Sequence, residues 1–450
     1  MRNATFLRIS VSFGLLLIAS AASGQSVVQT PPMTSRALTA ALEGPPLSLD
    51  DAIQSALRSN ADLAAARSQV EPLRAKPAQA KALAPPMLEA QIWQWPINTL
   101  NPANTDMYMF MASQDLPGRG KRDATEALAT SEIRLAETAL VPRERDIAAA
   151  VTRAYWDLLI ARRAIAIHLA SVDLLHQLTD VAQAKYAAGR ISQQDVLKAI
   201  VETTKLHGDL IDLEQQAERS RVQLNGLMNR AVDAPIGPLT ETGESRLVAA
   251  IEDVQTLASR EQPDLRVGQA AIERARAQVT VARTSATPEW SVGAGYMLQP
   301  HQTDAWLARL SVSWPGAPWS RGTIDARSAE ATASVSAAEA DAAAAAVHVR
   351  MAVSDSYVRV KAAEERAALI RTTLVPQSRQ ALDVSRVAYE TDRLDFLAVI
   401  ENERSLLEAQ LAYERALAEW RQAVTDLERA VGVALPPGML QRVPSTGVNR

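Results

Sequence analysis

Five methionines gather in a few short stretches and carry the clearest potential for metal chemistry. Met107, Met109 and Met111 alternate along one stretch, and Met87 and Met297 lie in related ones. Thioether sulfur is a soft ligand that suits Cu(I). The same alternation is typical of a plain apolar strand face, which methionine fills readily. The spacing alone favours the apolar face, and we predict no metal site.

Other residue types that perform chemistry form no constellation. The chain has no cysteine, which excludes disulfides, thiolate zinc sites, iron–sulfur clusters and cysteine nucleophiles. The five histidines lack the i,i+4 spacing of metal ligands, and no P-loop or serine-nucleophile motif is present. We therefore predict no enzyme activity and no cofactor. A net charge of -4 gives no support for nucleic-acid binding.

The beginning of the chain, residues 1–24, has the parts of a secretory signal peptide in order. Arg2 and Arg8 flank a short basic region, an apolar stretch follows, and small residues then offer a cleavage site. Because no cysteine lies at that site, a lipid anchor is not expected. No later stretch has the roughly 18 consecutive apolar residues of a membrane helix. The protein is expected to be exported, and strands would have to form any membrane-spanning part.

The remaining chain carries two copies of one pattern. Tyr155, for example, recurs as Tyr357 at an offset of 202 residues, and other positions recur at similar offsets. Each copy has a helix, a proline, a short non-helical region, a Pro-Gly pair and then long helices. We therefore predict a first repeat over residues 25–235 and a second over 236–450.

Each repeat contains one region with strand periodicity, at about residues 87–116 and 288–315. Apolar residues alternate with others there, and polar, turn-rich loops interrupt them, so each region predicts a β-hairpin. Six of the eight tryptophans lie in or beside these hairpins, as the interface belts of a membrane barrel require. Two soluble hairpins packed on helices are the alternative.

Helical periodicity fills the rest, so the predicted fold is mostly α with a small β part. One helix, capped by Ser48, should run unbroken to a pair of prolines, and its counterpart should span about residues 246–286. Longer helices, such as one over about 143–188, would be on the order of 70 Å long. Heptad spacing over 206–227 and 409–430 predicts coiled-coil packing. Such helices have little core of their own, which predicts an oligomer.

Four motifs follow one another along the chain: residues 47–53 (LSLDDAI), 113–122 (SQDLPGRGKR), 186–197 (YAAGRISQQDVL) and 427–432 (LERAVG). In that order they resemble the TolC-like outer-membrane efflux channels, and the match covers nearly the whole mature chain. Residues 389–397 (YETDRLDFL) also resemble the branch of the family that works with heavy-metal efflux pumps.

The resemblance implies a homotrimer in the outer membrane with a periplasmic extension. Each chain would give four strands to a shared transmembrane β-barrel of 12 strands, and long helices to a coiled-coil α-barrel. Its partners would be outer-membrane lipid, a periplasmic adaptor protein and an inner-membrane pump of the RND type. The channel would passively conduct heavy-metal cations or small toxic molecules to the exterior.

The resemblance also points to residues at the periplasmic entrance, which acidic side chains near a helical turn line in this family. Asp395 is the best match, with Asp392 and Arg393 as neighbours, and Asp392 stands where a turn glycine is expected. A ring of such carboxylates, one set from each chain, would favour cations. Ordinary turn and cap residues on a solvated tip are the alternative.

Two other function classes compete with a channel. A soluble periplasmic coiled-coil adaptor or scaffold would share the long helices and the export signal. It would need neither strands flanked by tryptophan nor a second copy of them. An exported enzyme would need converging polar residues, and the sequence offers none.

Overall fold

The architecture is taken from a computed structural model, which describes residues 35, 37–39, 44–93, 97–98, 101, 104–240, 245–300 and 302–442. The predicted signal peptide, residues 1–24, lies outside these residues. Most of the described chain is helical, as the composition and periodicity predict.

The helices form two series, each preceding and following one hairpin. The first series consists of α1 Leu49–Ser59, α2 Ala61–Ser68, α3 Glu71–Arg74, α4 Lys76–Lys81, α5 Lys121–Thr138, α6 Leu140–Ala187 and α7 Gln193–Leu227. The second series consists of α8 Ile251–Glu261, α9 Pro263–Thr284, α10 Arg321–Leu369, α11 Val375–Glu390 and α12 Phe396–Val431. A π-helical turn, Ile370–Leu374, joins α10 to α11 just before Pro376, which has no amide hydrogen to donate.

Four strands form one antiparallel sheet that unites both predicted hairpins. The strands are β1 Met87–Trp93, β2 Met107–Leu116, β4 Glu289–Leu298 and β5 Ala305–Ser313. Their order is β1-β2-β4-β5, so β2 of the first hairpin pairs with β4 of the second. A separate pair joins β3 Ser245–Leu247 to β6 Leu440–Arg442.

The pairing register sorts the side chains of the four-stranded sheet onto two unlike faces. Paired residues on antiparallel strands share a face, and neighbours along one strand take opposite faces. One face, here called the apolar face, has no charged residue. It consists of Leu88, Ala90, Ile92, Tyr108, Phe110, Ala112, Gln114, Leu116, Trp290, Val292, Ala294, Tyr296, Leu298, Trp306, Ala308, Leu310 and Val312.

The opposite face, here called the polar face, carries charged, hydroxyl and glycine residues together with the methionines. It consists of Met87, Glu89, Gln91, Trp93, Met107, Met109, Met111, Ser113, Asp115, Glu289, Ser291, Gly293, Gly295, Met297, Ala305, Leu307, Arg309, Ser311 and Ser313. On the apolar face, Leu88 is 81% exposed and Trp306 is 82% exposed. Within one chain, therefore, large apolar side chains are left uncovered.

The predicted unbroken helices before each hairpin are wrong, because buried amide side chains interrupt them. The first helix does begin as predicted, since Ser48 accepts a hydrogen bond from the amide of Asp51 at 3.1 Å. It breaks at Asn60, whose side-chain amide donates to the carbonyl of Leu227 at 3.0 Å. The counterpart breaks at Gln262, whose side-chain amide donates to the carbonyl of Ala430 at 2.8 Å. Each break therefore satisfies carbonyls at the end of a long helix.

The predicted long helices and their seams are present. α6 has 48 residues, which corresponds to about 72 Å. Along the α7 seam, Leu210 and Leu224 are 1% and 0% exposed, and along the α12 seam Trp420 and Leu427 are 3% and 0% exposed. The heptad spacing read from the sequence thus marks the buried stripe of both helices.

Polar contacts connect α6 to α12 along most of their length. The helices run antiparallel, so early residues of α6 meet late residues of α12. The successive pairs are Asp146 with Arg429, Arg153 with Asp426, Asp157 with Gln422, Arg163 with Glu414, and Ser171 with Glu403. These contacts bind the first series of helices to the second and place the ends of both helices side by side.

Candidate functional site

Two turns between long helices are built on the same hydrogen-bond pattern. The first turn, residues 188–192, has Gly189 at φ 71°, and the second turn, residues 391–395, has Asp392 at φ 56°. In both, the amide of the left-handed residue donates to a carbonyl three residues back, and the next amide donates five residues back. Asp392 therefore occupies the position that a glycine holds in the first turn.

Lys185, at the end of α6, joins the two turns. Its Nζ donates to Asp392 Oδ1 at 2.7 Å and to the Tyr389 carbonyl at 2.5 Å, and lies 4.0 Å from the centroid of the Tyr389 ring. Arg190 Nη1 lies 3.6 Å from the other carboxylate oxygen. The hydrogen bond from Lys185, together with its charge, lowers the pKa of Asp392. Two cations therefore hold this carboxylate.

The residues predicted for the entrance share the second turn, but they have different local roles. Asp395 caps α12, since its side chain accepts a hydrogen bond from the amide of Ala398 at 3.4 Å. Arg393 is exposed, and its amide completes the turn by donating to the carbonyl of Ala388 at 2.8 Å. Both Asp392 and Asp395 thus stabilise the turn in which they lie.

Sequence reasoning missed the contribution of Lys185 and Tyr389. Tyr389 is 2% exposed, its ring centroid lies 5.5 Å from that of Phe396, and burial raises the pKa of its phenol. Its counterpart by repeat offset, Tyr186, is 46% exposed. Lys185 lies immediately before the motif of residues 186–197, next to Tyr186. This position was the available sequence signal for a role of Lys185 at the first turn.

A buried polar layer lies farther along the same helices. Glu403 on α12 is 3% exposed and accepts a hydrogen bond from the hydroxyl of Ser171 on α6. Burial, with a contribution from the nearby Glu202 carboxylate, raises the pKa of Glu403 to about 7. Burial would also raise the pKa of Glu202, but the hydrogen bonds and charges of Arg404 and Lys205 outweigh it and lower that pKa. Glu403 therefore retains its proton to a higher pH than Glu202 does.

In the part of the chain that the structure describes, no three His, Cys, Asp or Glu side chains are grouped so that they could hold a metal ion. Among the described helices, none is both long enough and apolar enough to cross a membrane.

Two stretches of the chain match one protein family. The sequence model of the outer membrane efflux protein family covers residues 52–230 and again 255–433. The chain belongs to this family. The motif resemblance to TolC-like channels is thereby confirmed, and the soluble adaptor or scaffold has no comparable support.

Among curated proteins, this outer membrane efflux protein is similar to the cobalt-zinc-cadmium resistance protein CzcC of Cupriavidus metallidurans. The two are 23% identical over 398 residues, which is 86% of this chain and 90% of the relative. This similarity agrees with the resemblance of residues 389–397 to the heavy-metal branch of the family.

Solved structures of outer-membrane proteins share the fold. The outer-membrane channel OprN matches with a TM-score of 0.70 and 19% identity, covering 85% of this chain and 89% of that one. VceC of Vibrio cholerae matches with a TM-score of 0.69 and 18% identity, over 86% and 97% of the two chains. CusC matches with a TM-score of 0.70 and 16% identity, over 86% and 92%. At sequence identities this low, the similarity shows a shared fold and nothing further.

Proposed function

We propose that this protein is the outer-membrane channel of a tripartite efflux system and passively conducts substrate from the periplasm to the exterior. The observation that carries the proposal is the exposed apolar face of the four-stranded sheet, beside helices about 72 Å long. An apolar outer face with a polar inner face is the pattern of strands in transmembrane barrels. Family membership supplies the outer-membrane setting.

The sheet edges support an assembly of several chains. Within the described residues, β1 and β5 each pair on one side only. Unpaired backbone groups are not tolerated in a lipid bilayer, so β1 of one chain is expected to pair with β5 of the next. Three chains would close a barrel of 12 strands, an even number as in other bacterial barrels. We therefore propose a homotrimer inserted in outer-membrane lipid.

We also propose the internal repeat, with residues 25–235 and 236–450 as its copies. Two equivalent hydrogen bonds support it: the Tyr155 hydroxyl donates to the Leu47 carbonyl at 2.9 Å, and the Tyr357 hydroxyl donates to the Ala249 carbonyl at 3.1 Å. Both contacts span 108 residues. The family model also matches once in each half.

We propose heavy-metal cations or small toxic molecules as substrates, delivered by an inner-membrane pump of the RND type through a periplasmic adaptor. The similarity to a cobalt-zinc-cadmium resistance protein supports the metal cations. The signal peptide expected at residues 1–24 would direct export, and no lipid anchor is proposed.

The two turns joined by Lys185 are proposed as the periplasmic entrance, with Asp392, Arg393 and Asp395 at its rim. Because Lys185 and Arg190 offset the charge of Asp392, Asp395 is the stronger candidate for attracting cations. In planar bilayers, replacing Asp392 and Asp395 together with alanine should lower the preference for cations. Unchanged conductance and ion preference would refute the entrance assignment.

The channel itself is tested by membrane fractionation, unheated gel electrophoresis and conductance in planar bilayers. We expect a protein that requires detergent, migrates as a trimer and forms ion-conducting pores. A matched variant carries Leu310→Glu on the apolar face, which should prevent insertion because a charge facing lipid is costly. Ser311→Glu, one residue along on the polar face, should insert. A soluble monomer, or equal insertion of both variants, would refute the proposal.

A further inference from the structure

The five strand methionines all lie on the polar face of the sheet. Met87, Met107, Met109, Met111 and Met297 share that face by the pairing register. Ten methionines are present in the whole chain, so half of them lie on one face of one small sheet. Methionine that serves as apolar filler would be expected on the apolar face, where tryptophan, leucine and valine gather.

The register also brings three of these thioethers close together. Met109 on β2 pairs directly with Met297 on β4, which places their Cβ atoms about 5 Å apart. Met111 lies two residues along β2 on the same face, about 7 Å from Met109. Methionine has three rotatable side-chain bonds, so sulfur atoms at these separations can converge on one ion.

The backbone of the neighbouring strand comes close to Met111 on this face, and the Met111 side chain is 5% exposed. Its partner on β4 is Gly295, and a Cβ added to that glycine would lie 3.4 Å from the Cβ of Met111 and 2.8 Å from the Phe110 carbonyl. Its partner on β1 is Glu89, a carboxylate on the same face. A cation held by neutral thioethers would therefore lie beside a negative charge, which favours it electrostatically.

We propose that Met109, Met111 and Met297 form a binding site for a soft monovalent cation, Cu(I) or Ag(I), and that Met87 and Met107 extend it along the strands. Soft thioether ligands select Cu(I) over harder divalent ions. The position of the site inside a conduit rests on the proposed function, whereas binding itself does not. Neutral ligands bind an ion weakly enough for it to leave, as conduction requires.

The binding test uses purified full-length protein in detergent, titrated with Ag(I) nitrate in chloride-free buffer. The test variant carries Met109→Leu, Met111→Leu and Met297→Leu, which keep the apolar volume and remove the sulfur. The matched control carries Met351→Leu and Met439→Leu, outside the sheet. We expect the test variant to lose at least about tenfold in affinity for Ag(I), which is about 1.4 kcal/mol. The control should bind as the wild type does, and Zn(II) should not compete.

A second readout locates the ion. With ¹³C-methyl-labelled methionine, Ag(I) should shift the signals of Met109 and Met297 and leave that of Met351 in place. Equal Ag(I) affinity in the wild type and the test variant, or shifts confined to other methionines, would overturn the site.

Potassium conductance separates this site from the channel itself, and the test variant should conduct K⁺ as the wild type does. A wild-type protein that conducts without binding Ag(I) overturns the site. One that binds Ag(I) but never conducts overturns the channel and supports the site.

Discussion

Replacing Glu403 with glutamine should stabilise the protein at alkaline pH and leave it unchanged in acid. Burial raises the pKa of this carboxyl group from 4.5 to about 7, so the folded state retains a proton that the unfolded state releases. Ionising the buried carboxyl group therefore destabilises the wild-type protein. This loss of stability is absent below pH 4.5, grows as the pH rises to about 7, and is constant above that. Each pH unit corresponds to 1.36 kcal/mol, so the effect is on the order of 3 kcal/mol at pH 8 and less than about 1 kcal/mol at pH 5.

Glutamine is neutral at every pH and keeps an oxygen that accepts the hydrogen bond from Ser171. The difference in unfolding temperature between Glu403→Gln and the wild type, measured in detergent across a pH series, should therefore be small at pH 5 and clearly positive at pH 8. Glu408→Gln, at an exposed position on the same helix, is the matched control and should show no such pH dependence. A difference of the same size at both pH values would refute a proton on buried Glu403 as the cause.

Three further predictions concern the turns and the helix breaks. Lys185→Met should raise the single-channel conductance in planar bilayers, because the substitution removes the contacts that hold the two turns together. Lys198→Met is the control and should leave the conductance unchanged. Equal conductance of the two variants would contradict the role of Lys185. Asn60→Ala should destabilise the protein by about 2 kcal/mol, because it removes an N-cap and a hydrogen bond to the Leu227 carbonyl; Gln79→Ala, in the exposed part of the first series, is the control for a denaturant titration. Gly189→Ala should lower the free energy of unfolding by about 1 kcal/mol, because alanine disfavours the left-handed backbone there and nothing lies within 4 Å of the new Cβ. Gly432→Ala should lower it by more than twice as much, because the new Cβ would lie 2.5 Å from Pro263 Cδ. Equal unfolding temperatures for the two glycine variants would show that the close approach at Gly432 does not matter.

Local periodicity was sufficient to predict the long helices, their buried stripes and both hairpins. The seam through Leu210 and Leu224, for example, depends only on spacing along one helix. The interruptions at Asn60 and Gln262 could not be predicted in this way. Their side chains bond to carbonyls 167 and 168 residues away, and no local pattern contains that information.

The residues proposed for the entrance show the same limit. The motif placed Asp392 and Asp395 correctly in a turn, because glycine-like positions and caps are local features. Pairing of Asp392 with Lys185 spans 207 residues and requires the antiparallel packing of α6 on α12. The methionines share one face, as their alternation predicts, but only the register between the hairpins shows that charged and hydroxyl residues lie on that face as well.

The contacts between α6 and α12 also determine when the chain can finish folding. The paired residues are separated by 232 to 283 positions, so α6 cannot complete these contacts until the last part of the chain is available. Until then the α6 residues that bond to α12 have no partners there, although α6 can already pack on α7, and contacts of such long range form slowly. The first half of the chain is therefore exposed to proteases and to wrong pairings during that interval. The rate at which the rest of the chain becomes available, more than the stability of the finished fold, would then limit how much of the protein reaches its folded state.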